Sequence, residues 1–308
     1  MKRIVVVLPV IFSLFMLNSC NDKNIDNDDS GDKIIRFRVK ALELGSNAVT
    51  KLDVENCKFE NGDEIGLFAV KRKIGSTSLS DNELNSTSNF IHNARLIYDG
   101  NNSWISDPPI YYPEDRTTAS IDFYAYYPYR EFMDPNNMDI SGGVLTNQEG
   151  RSTLGESDFM TAYKRDYVFD GEKEVELVFR HHFSLVRFEC QTTVSPVFNS
   201  VAIFTPEYSV NKFELIPVAT GSKDLTYSLI YESDKVRKIA IGMHSKENAV
   251  KIYEALVIPQ IIEKGQNAPL FYFFNDENNS FFSIFLEDVI DNEKQIELSK
   301  GNIYTFLY

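Results

Sequence analysis

The residues best suited to chemistry in this 308-residue chain are four histidines, three cysteines and numerous carboxylates. His181 and His182 are adjacent, and because neighbouring residues of a strand point to opposite faces, they cannot jointly bind one metal ion. We predict that one of them packs beside Phe183 and the other faces solvent. His92 and His244 lie alone in polar sequence. No zinc-protease, phosphate-loop, nucleophile-elbow or CxxC motif is present, so the sequence predicts no catalytic residue, no cofactor and no metal.

The carboxylate pairs leave one catalytic alternative open, a secreted hydrolase. Glu287-Asp288 and Asp276-Glu277 could flank a glycosidic bond, which requires two carboxyl groups that converge in a cleft. In a chain with 45 acidic residues, most such pairs are solvated turns. The aspartates of residues 26–32 suggest a calcium loop, but the glycine and the terminal glutamate of EF-hand spacing are absent.

The elements that would position these groups are β-strands rich in aromatic residues. Within Ser120–Tyr129 apolar and polar residues alternate, which is typical of a strand with one face against a core. Pro128 has no N–H to donate to a sheet and should end this strand. A second aromatic strand is predicted at Ile110–Tyr112, ending at Pro113. The tyrosines of residues 111–129 could form a platform for sugar rings, although rings at period 2 more often pack in a core.

Short strand-like runs recur along the rest of the chain. Ile35–Ala41 alternates apolar residues with basic ones, and Glu64–Val70 is apolar on both faces, as in a central strand. The further runs are Ala94–Tyr98, Ser157–Ala162, Val175–Phe179, His181–Cys190, Val201–Phe204, Leu225–Tyr231, Val236–Ile241, Ile252–Ile258, Leu270–Phe274, Phe281–Leu286 and Ile303–Leu307. Because no segment of ten residues has helical periodicity, we predict an all-β fold of antiparallel β-sandwiches.

The chain is long enough for two such sandwiches, which we place at residues 33–174 and 175–308. The boundary should lie near residues 175–195, and Thr192–Pro196 is nearly as good a position as the turn before Val175. The irregular region 130–157 is long for a compact domain, so it is the best candidate for a ligand-binding surface.

The N-terminus indicates export. Lys2 and Arg3 precede an apolar run at residues 4–17 that is too short to span a membrane, and Cys20 follows a small residue. This arrangement resembles the lipobox of bacterial lipoproteins, in which residues 1–19 are removed and Cys20 carries the lipid anchor. An ordinary signal peptide cut nearby is the alternative.

The composition of the remaining chain limits its partners. Residues 20–32 are acidic and cannot form a core, so they should be a flexible tether. The formal net charge is −14 before processing, and such a surface repels nucleic acid. Cys57 and Cys190 are far apart in sequence and are predicted to be two buried free thiols.

Several local patterns together resemble the fimbrillin family. In order, they resemble its GD-IG-F strand, its W…PIYWP element with Tyr112 in place of the tryptophan, its DFYAYYP strand, its DLM and F-H-FS-V segments, and its C-terminal PQ and G--Y elements. The segments are Asn61–Phe68, Trp104 with Pro109–Pro113, Asp122–Pro128, Ser157–Met160, Phe179–Val186, Ile258–Gln260 and Gly301–Tyr304. Fimbrillins are subunits of type V pili of Gram-negative gut and oral bacteria.

The resemblance implies two transthyretin-like β-sandwiches and a location at the cell outer membrane and in a fimbrium. It also implies pilus subunits as partners, joined by donor-strand pairing, and an unknown surface ligand. In polymerising members a protease cuts after arginine and removes the first strand. The corresponding position here is Lys51, which does not suit such a protease, and Arg36 and Arg38 are the alternatives. Since the chain ends at Tyr308 within its last strand, we expect a tip or accessory role. A lipid-anchored glycan-binding protein that does not polymerise is the alternative.

Overall fold

Within the residues that the structure describes, the strands form four β-sheets. The computed structural model describes residues 34–42, 59–75, 84–87, 89–101, 103–116, 119–135, 144–169, 174–191, 200–217, 225–247, 250–265, 269–275, 280–291 and 293–307. The elements are β1 Phe37–Ala41, β2 Glu64–Lys73, β3 Ile91–Tyr98, β4 Trp104–Ser106, β5 Ala119–Tyr127, β6 Asn147–Gln148, α1 Arg151–Glu156, β7 Met160–Tyr167, β8 Val175–His181, β9 Ser184–Gln191, β10 Ser200–Pro217, β11 Leu225–Ile241, β12 Met243–Glu247, β13 Val250–Val257, β14 Gln260–Glu263, β15 Phe271–Asn275, β16 Ser280–Ile284, α2 Leu286–Val289, β17 Gln295–Leu298 and β18 Ile303–Leu307. The predicted all-β fold is confirmed.

The first half of the chain forms a seven-stranded sheet in the order β1-β8-β7-β5-β2-β3-β4. β2 lies between β3 and β5 and is buried on both faces, as its continuous apolar sequence predicts. β5 ends at Tyr127, immediately before the proline that cannot donate to the ladder. The predicted strand at Ile110–Tyr112 is wrong, because this segment makes only an isolated bridge between Tyr111 and Ile34.

The second half of the chain contributes two larger sheets and a small one. Their orders are β16-β15-β10-β11-β6, β12-β13-β9-β18 and β14-β17. The runs predicted at residues 225–231 and 236–241 belong to one continuous strand, β11. Most pairs are antiparallel, but β1 with β8, β6 with β11 and β18 with β9 are parallel. In each parallel pair one strand is short and lies at a sheet edge, and the two partners are separated in sequence by several other strands, as parallel pairing requires a long connection.

The chain passes from the seven-stranded sheet to the four-stranded sheet at His182 and Phe183. β8 pairs with β1 and β7, whereas β9 pairs with β13 and β18. The sequence predicts β8 as part of the C-terminal sandwich, whereas in the structure it pairs with strands of the N-terminal half. The passage lies within the window predicted for the boundary, and the domain limits at 174 and 175 stay a prediction.

Both faces of β5, in the middle of the seven-stranded sheet, are buried along its whole length. Ile121, Phe123 and Ala125 join one hydrophobic cluster with residues of β1 and β8. Tyr124 and Tyr126 join another cluster, which includes residues of β9, β13 and β15. The sequence predicts one buried face for this strand, and the structure buries the second face under the C-terminal half of the chain.

The candidate functional site in a groove filled by β1

β1 lies in a groove at the edge of the seven-stranded sheet. On one side it runs parallel to β8, and backbone hydrogen bonds from Val175 N to Arg36 O (2.8 Å) and from Leu42 N to Phe179 O (2.7 Å) hold its two ends. On the other side, the Ile35 N–H donates to Ile110 O at 2.8 Å. The segment 35–42 therefore has backbone partners on both flanks, although the five-residue strand β1 itself pairs with β8 at the sheet edge.

The apolar side chains of β1 point into this groove. Ile35 and Phe37 are buried, with 3% of each exposed, and Val39 and Ala41 are half-buried. The ring of Phe37 meets that of Phe123 edge-to-face, with centroids 5.6 Å apart. The groove is deep near Phe37 and shallow near Ala41, so the largest side chain fills the deepest position.

A hub of aromatic rings forms the interior of the same cluster. Phe59 contacts the rings of Trp104, Tyr127 and Phe179 at centroid distances of 4.9, 5.5 and 5.8 Å, each close to edge-to-face. Phe179 lies on β8, the strand that borders β1, so the hub connects the wall of the groove to β4 and β5. Rigid packing of this kind preserves the shape of a groove.

The basic side chains of β1 point outward and pair with acids on or just before β8. Arg38 Nε and Nη2 lie 3.0 and 2.8 Å from Glu174 Oε2, and Lys40 forms an ion pair with Glu176. The hydrogen bond from Lys40 is the main reason that the pKa of Glu176 lies below its ordinary value. Sequence analysis did not identify these two glutamates as partners of β1. A signal was present, because acidic residues flank Val175 at the same two-residue spacing as the basic residues of β1.

The residues predicted for maturation and anchoring are only partly within the described structure. Arg36 and Arg38 are exposed, immediately before and within the edge strand β1. Lys51 and Cys20 lie outside the described residues, as do residues 1–32, the predicted signal peptide and tether. Of the two predicted free thiols, Cys190 is buried and free, as expected, and Cys57 lies outside the described residues.

The adjacent histidines lie where the two halves of the chain meet, and both are buried. His181 Nδ1 is 2.8 Å from Asp158 Oδ1, and His182 Nε2 is 2.7 Å from Thr161 Oγ1. The prediction that one of them faces solvent is wrong, because the C-terminal half covers the end of β8. Burial lowers the pKa of His182 to about 3, so it is neutral at neutral pH. The described residues contain no group of three or more potential metal ligands.

Of the four carboxylates considered for hydrolysis, Asp288 makes a structural hydrogen bond in the described part of the chain. Asp288 Oδ2 accepts a hydrogen bond from the Phe285 N–H (2.8 Å) at the start of α2, and Glu287 beside it is exposed. Asp276 and Glu277 lie outside the described residues. The buried Asp122 carboxylate lies 3.2 Å from Arg72 Nε. Charge pairing of this kind compensates the cost of burying a carboxylate.

Region 130–157, predicted as a ligand-binding loop, is partly built into the fold. β6 pairs with β11, and Val144, Leu154 and Met133 belong to the hydrophobic cluster of the C-terminal half. The described residues of this region therefore connect the two halves of the chain.

The tyrosine platform considered from sequence is mostly core. Tyr124, Tyr126 and Tyr127 are buried, whereas Tyr111 is exposed. A different set of rings lies on the outer face of the five-stranded sheet, at Tyr272 and Phe274 of β15 and Phe281 of β16. The Tyr272 ring is 6.3 Å from that of Phe274 and 5.9 Å from that of Phe281, with planes within 14° and 19° of parallel. Sequence analysis missed this patch, although the aromatic residues at alternate positions of Phe271–Asn275 could have indicated it.

Among the described residues, no helix has the length and apolar character needed to cross a membrane. Fold and groove together define an all-β protein in which a short parallel strand closes the edge of a sheet. The chain belongs to the fimbrillin-like family, whose model matches residues 49–308. The match begins after β1, so the family model does not itself cover the strand in the groove.

Similar proteins come from Bacteroides. The chain is 27% identical over 183 residues to a Bacteroides ovatus protein named "Putative fimbrium tip subunit Fim1C"; the alignment covers 56% of this chain and 30% of that protein. A crystal structure of a "putative cell adhesion protein" from Bacteroides uniformis has a TM-score of 0.51 at 17% identity, with 90% and 94% of the two chains covered. A fimbrial protein from Bacteroides ovatus has a TM-score of 0.46 at 17% identity, and this chain covers 48% of its length. The chain thus spans about a third of the curated relative and about half of that fimbrial protein.

Proposed function

We propose that this protein is a non-catalytic fimbrial subunit, at the tip or in an accessory position, that joins other pilus subunits by β-strand exchange. The observation that carries the proposal is β1, a short edge strand that pairs with β8, buries its apolar side chains in the adjoining cluster, and is preceded by Ile35, which bonds to Ile110 on the other side. A strand of a partner subunit can satisfy the same backbone groups and bury alternate side chains in the same positions. Family membership and the fimbrium tip relative support this role.

The same proposal includes export and anchoring. Cys20 would carry the lipid that holds the protein at the outer membrane and cell surface, and proteolytic maturation would occur after Arg36, Arg38 or Lys51. Cleavage after Lys51 would separate the whole of β1 from the chain that follows, whereas cleavage after Arg36 would leave β1 attached. Cleavage after Arg38 would divide the strand between its two deepest positions and its two shallow ones. The surface ligand would be a host or bacterial molecule.

An unboiled SDS gel of membranes and sheared surface material, probed for this chain, tests the proposal. Strand-exchanged joints should survive detergent without heat, so a band above monomer size should collapse to one band on boiling. N-terminal sequencing of the boiled band then identifies the cleavage position. A monomer in every fraction, with β1 still attached, would contradict assembly by strand exchange.

A second candidate function, glycan binding by a lipid-anchored protein that does not polymerise, is favoured by the patch of Tyr272, Phe274 and Phe281. Phe281 is 66% exposed, and aromatic faces stack against the apolar faces of sugar rings. Because the chain is strongly acidic, a neutral oligosaccharide is the expected ligand.

Affinity electrophoresis in gels that contain neutral polysaccharides tests this candidate. Retardation of the wild-type protein should be lost in Phe281→Ala and retained in Phe132→Ala, which removes an exposed ring elsewhere. Equal mobility of all three proteins in every gel would exclude the patch as a glycan site.

A further inference from the structure

The wall of the β1 groove carries a charge pattern that a replacement strand would meet. Glu174 and Glu176 lie two residues apart on the flank of β8, and their partners Arg38 and Lys40 belong to the strand that would leave. Once β1 is removed, the two carboxylates lose the guanidinium and the ammonium that neutralise them. Lys164 of β7 stays in place and still acts electrostatically on Glu176, but it contributes less to the lowered pKa of Glu176 than the hydrogen bond from Lys40 does.

The groove also sets size requirements at alternate positions. Phe37 and Ile35 occupy deep sites, and Val39 and Ala41 occupy half-buried ones. A strand placed one residue out of register would turn its apolar side chains to solvent and its basic side chains into the cluster around Phe123. Size and charge therefore specify the same register.

The direction of β1 is parallel to β8, and a donor strand in the same direction would reproduce its hydrogen bonds. Residues 37–41 pair in parallel with residues 175–179, one to one and without a bulge. Val175 N and the Phe179 carbonyl are left without these partners when β1 departs. An incoming strand that runs parallel to β8 restores both bonds.

From this geometry we propose that the groove selects a donor strand that runs parallel to β8, has a large apolar residue at the Phe37 position, and has basic residues at the Arg38 and Lys40 positions. This inference rests on the proposed strand exchange. The recognised partner is a basic, alternating segment of another pilus subunit. Each exposed ion pair adds little affinity, but carboxylates facing carboxylates would reject an acidic donor strand.

The test uses a full-length chain in which a protease recognition sequence replaces residues 45–51. Cleavage after folding leaves β1 bound without a covalent link. Three fluorescent peptides then compete with it: one with the sequence of residues 33–44, one in which Arg38 and Lys40 are glutamates, and one in which Phe37 and Arg38 are exchanged. Anisotropy measures peptide binding, and mass spectrometry measures release of the β1 fragment. Refolding from denaturant with excess peptide excludes slow release as a cause of failure.

We expect the native-sequence peptide to compete about tenfold better than the acidic one at low ionic strength, with a smaller ratio in high salt. The peptide with exchanged Phe37 and Arg38 should fail at any salt concentration. In a chain carrying Glu174→Lys and Glu176→Lys the charge preference should reverse. Equal competition by the native and acidic peptides would overturn the selectivity while leaving strand exchange intact. Failure of every peptide, also after refolding, would instead reject strand exchange itself.

Discussion

The side-chain amide of Gln148 pairs with the backbone of Leu256 as a neighbouring strand would. Gln148 Nε2 donates to Leu256 O at 2.9 Å, and Gln148 Oε1 accepts from Leu256 N–H at 2.8 Å. β12 pairs with β13 only as far as Tyr253, so Gln148 takes over as partner beyond that point. A residue of the long segment after β5 thereby completes a sheet in the other half of the chain.

Replacing Gln148 with leucine should destabilise the protein by about 3 kcal/mol or more, because a buried backbone N–H and C=O lose their partners together. Asn147→Ala is the matched control, since the side chain next to Gln148 is exposed. Denaturant unfolding measures both free energies. Similar values for the two variants would show that the Gln148 contacts contribute little to stability.

Gly66 of β2 and Tyr126 of β5 are paired across the two strands and lie in close contact. A Cβ atom at Gly66 would overlap the Tyr126 ring, whose hydroxyl donates its one proton to Asn93 Oδ1 (2.6 Å) or Arg130 O (3.0 Å) and accepts from the Arg130 N–H (3.2 Å). Because these bonds hold the ring, Gly66→Ala should cost about 2–3 kcal/mol of unfolding free energy. Gly155→Ala meets only an ordinary contact in α1 and should be neutral or stabilising. Equal thermal midpoints for the two variants would indicate that the ring can move.

Local pattern predicted the strands, and long-range contacts decided what covers them. The alternation in Ser120–Tyr129 and Pro128 gave β5 and its end, because strand sterics and the missing proline N–H act locally. The burial of Tyr124, the pairing of Gln148 and the partners of Glu176 depend on segments distant in sequence. Such contacts leave no periodic signal within a short window, so the single-sequence analysis missed them.

Asp122 and Asp166 both pair with Arg72, and they differ in burial. The Arg72 and Asp122 side chains are 3% and 2% exposed, whereas that of Asp166 is 65% exposed. Asp122→Asn should therefore destabilise the protein by about 3 kcal/mol, since the buried guanidinium loses its buried partner and keeps only the exposed Asp166 carboxylate. Asp166→Asn should cost less than about 1 kcal/mol, because the Asp166 carboxylate is mostly solvated and Arg72 keeps its buried partner Asp122. Chemical unfolding of the two variants compares them directly, and an equal loss would contradict the role of burial.

His182 should make stability depend on pH. Its pKa is lowered from 6.5 to about 3, mainly by burial, so between these values the unfolded chain binds more protons than the folded one. Stability from this group is therefore complete above pH 6.5 and is lost as pH falls toward 3, at up to about 1.4 kcal/mol per pH unit. His182→Gln should remove this component, whereas Thr161→Val, which keeps the buried imidazole, should retain it. The measurement is unfolding free energy between pH 7 and 5, and parallel curves for the wild type and His182→Gln would refute the assignment.

Phe37 should be the side chain that anchors β1 most strongly. It is buried against Phe123, whereas Leu42, just beyond the strand, is 39% exposed. Phe37→Ala should therefore lower the free energy of unfolding by about 3 kcal/mol, and Leu42→Ala by less than about 1 kcal/mol. Hydrogen exchange adds a local measurement, because loss of the anchor should deprotect the amides of Val175 and Leu42, which bond across the β1–β8 pair. If these amides stay as protected as in the wild type while the protein is destabilised, Phe37 stabilises the core as a whole. Selective deprotection would instead identify β1 as a separately opening strand, the property that strand exchange requires.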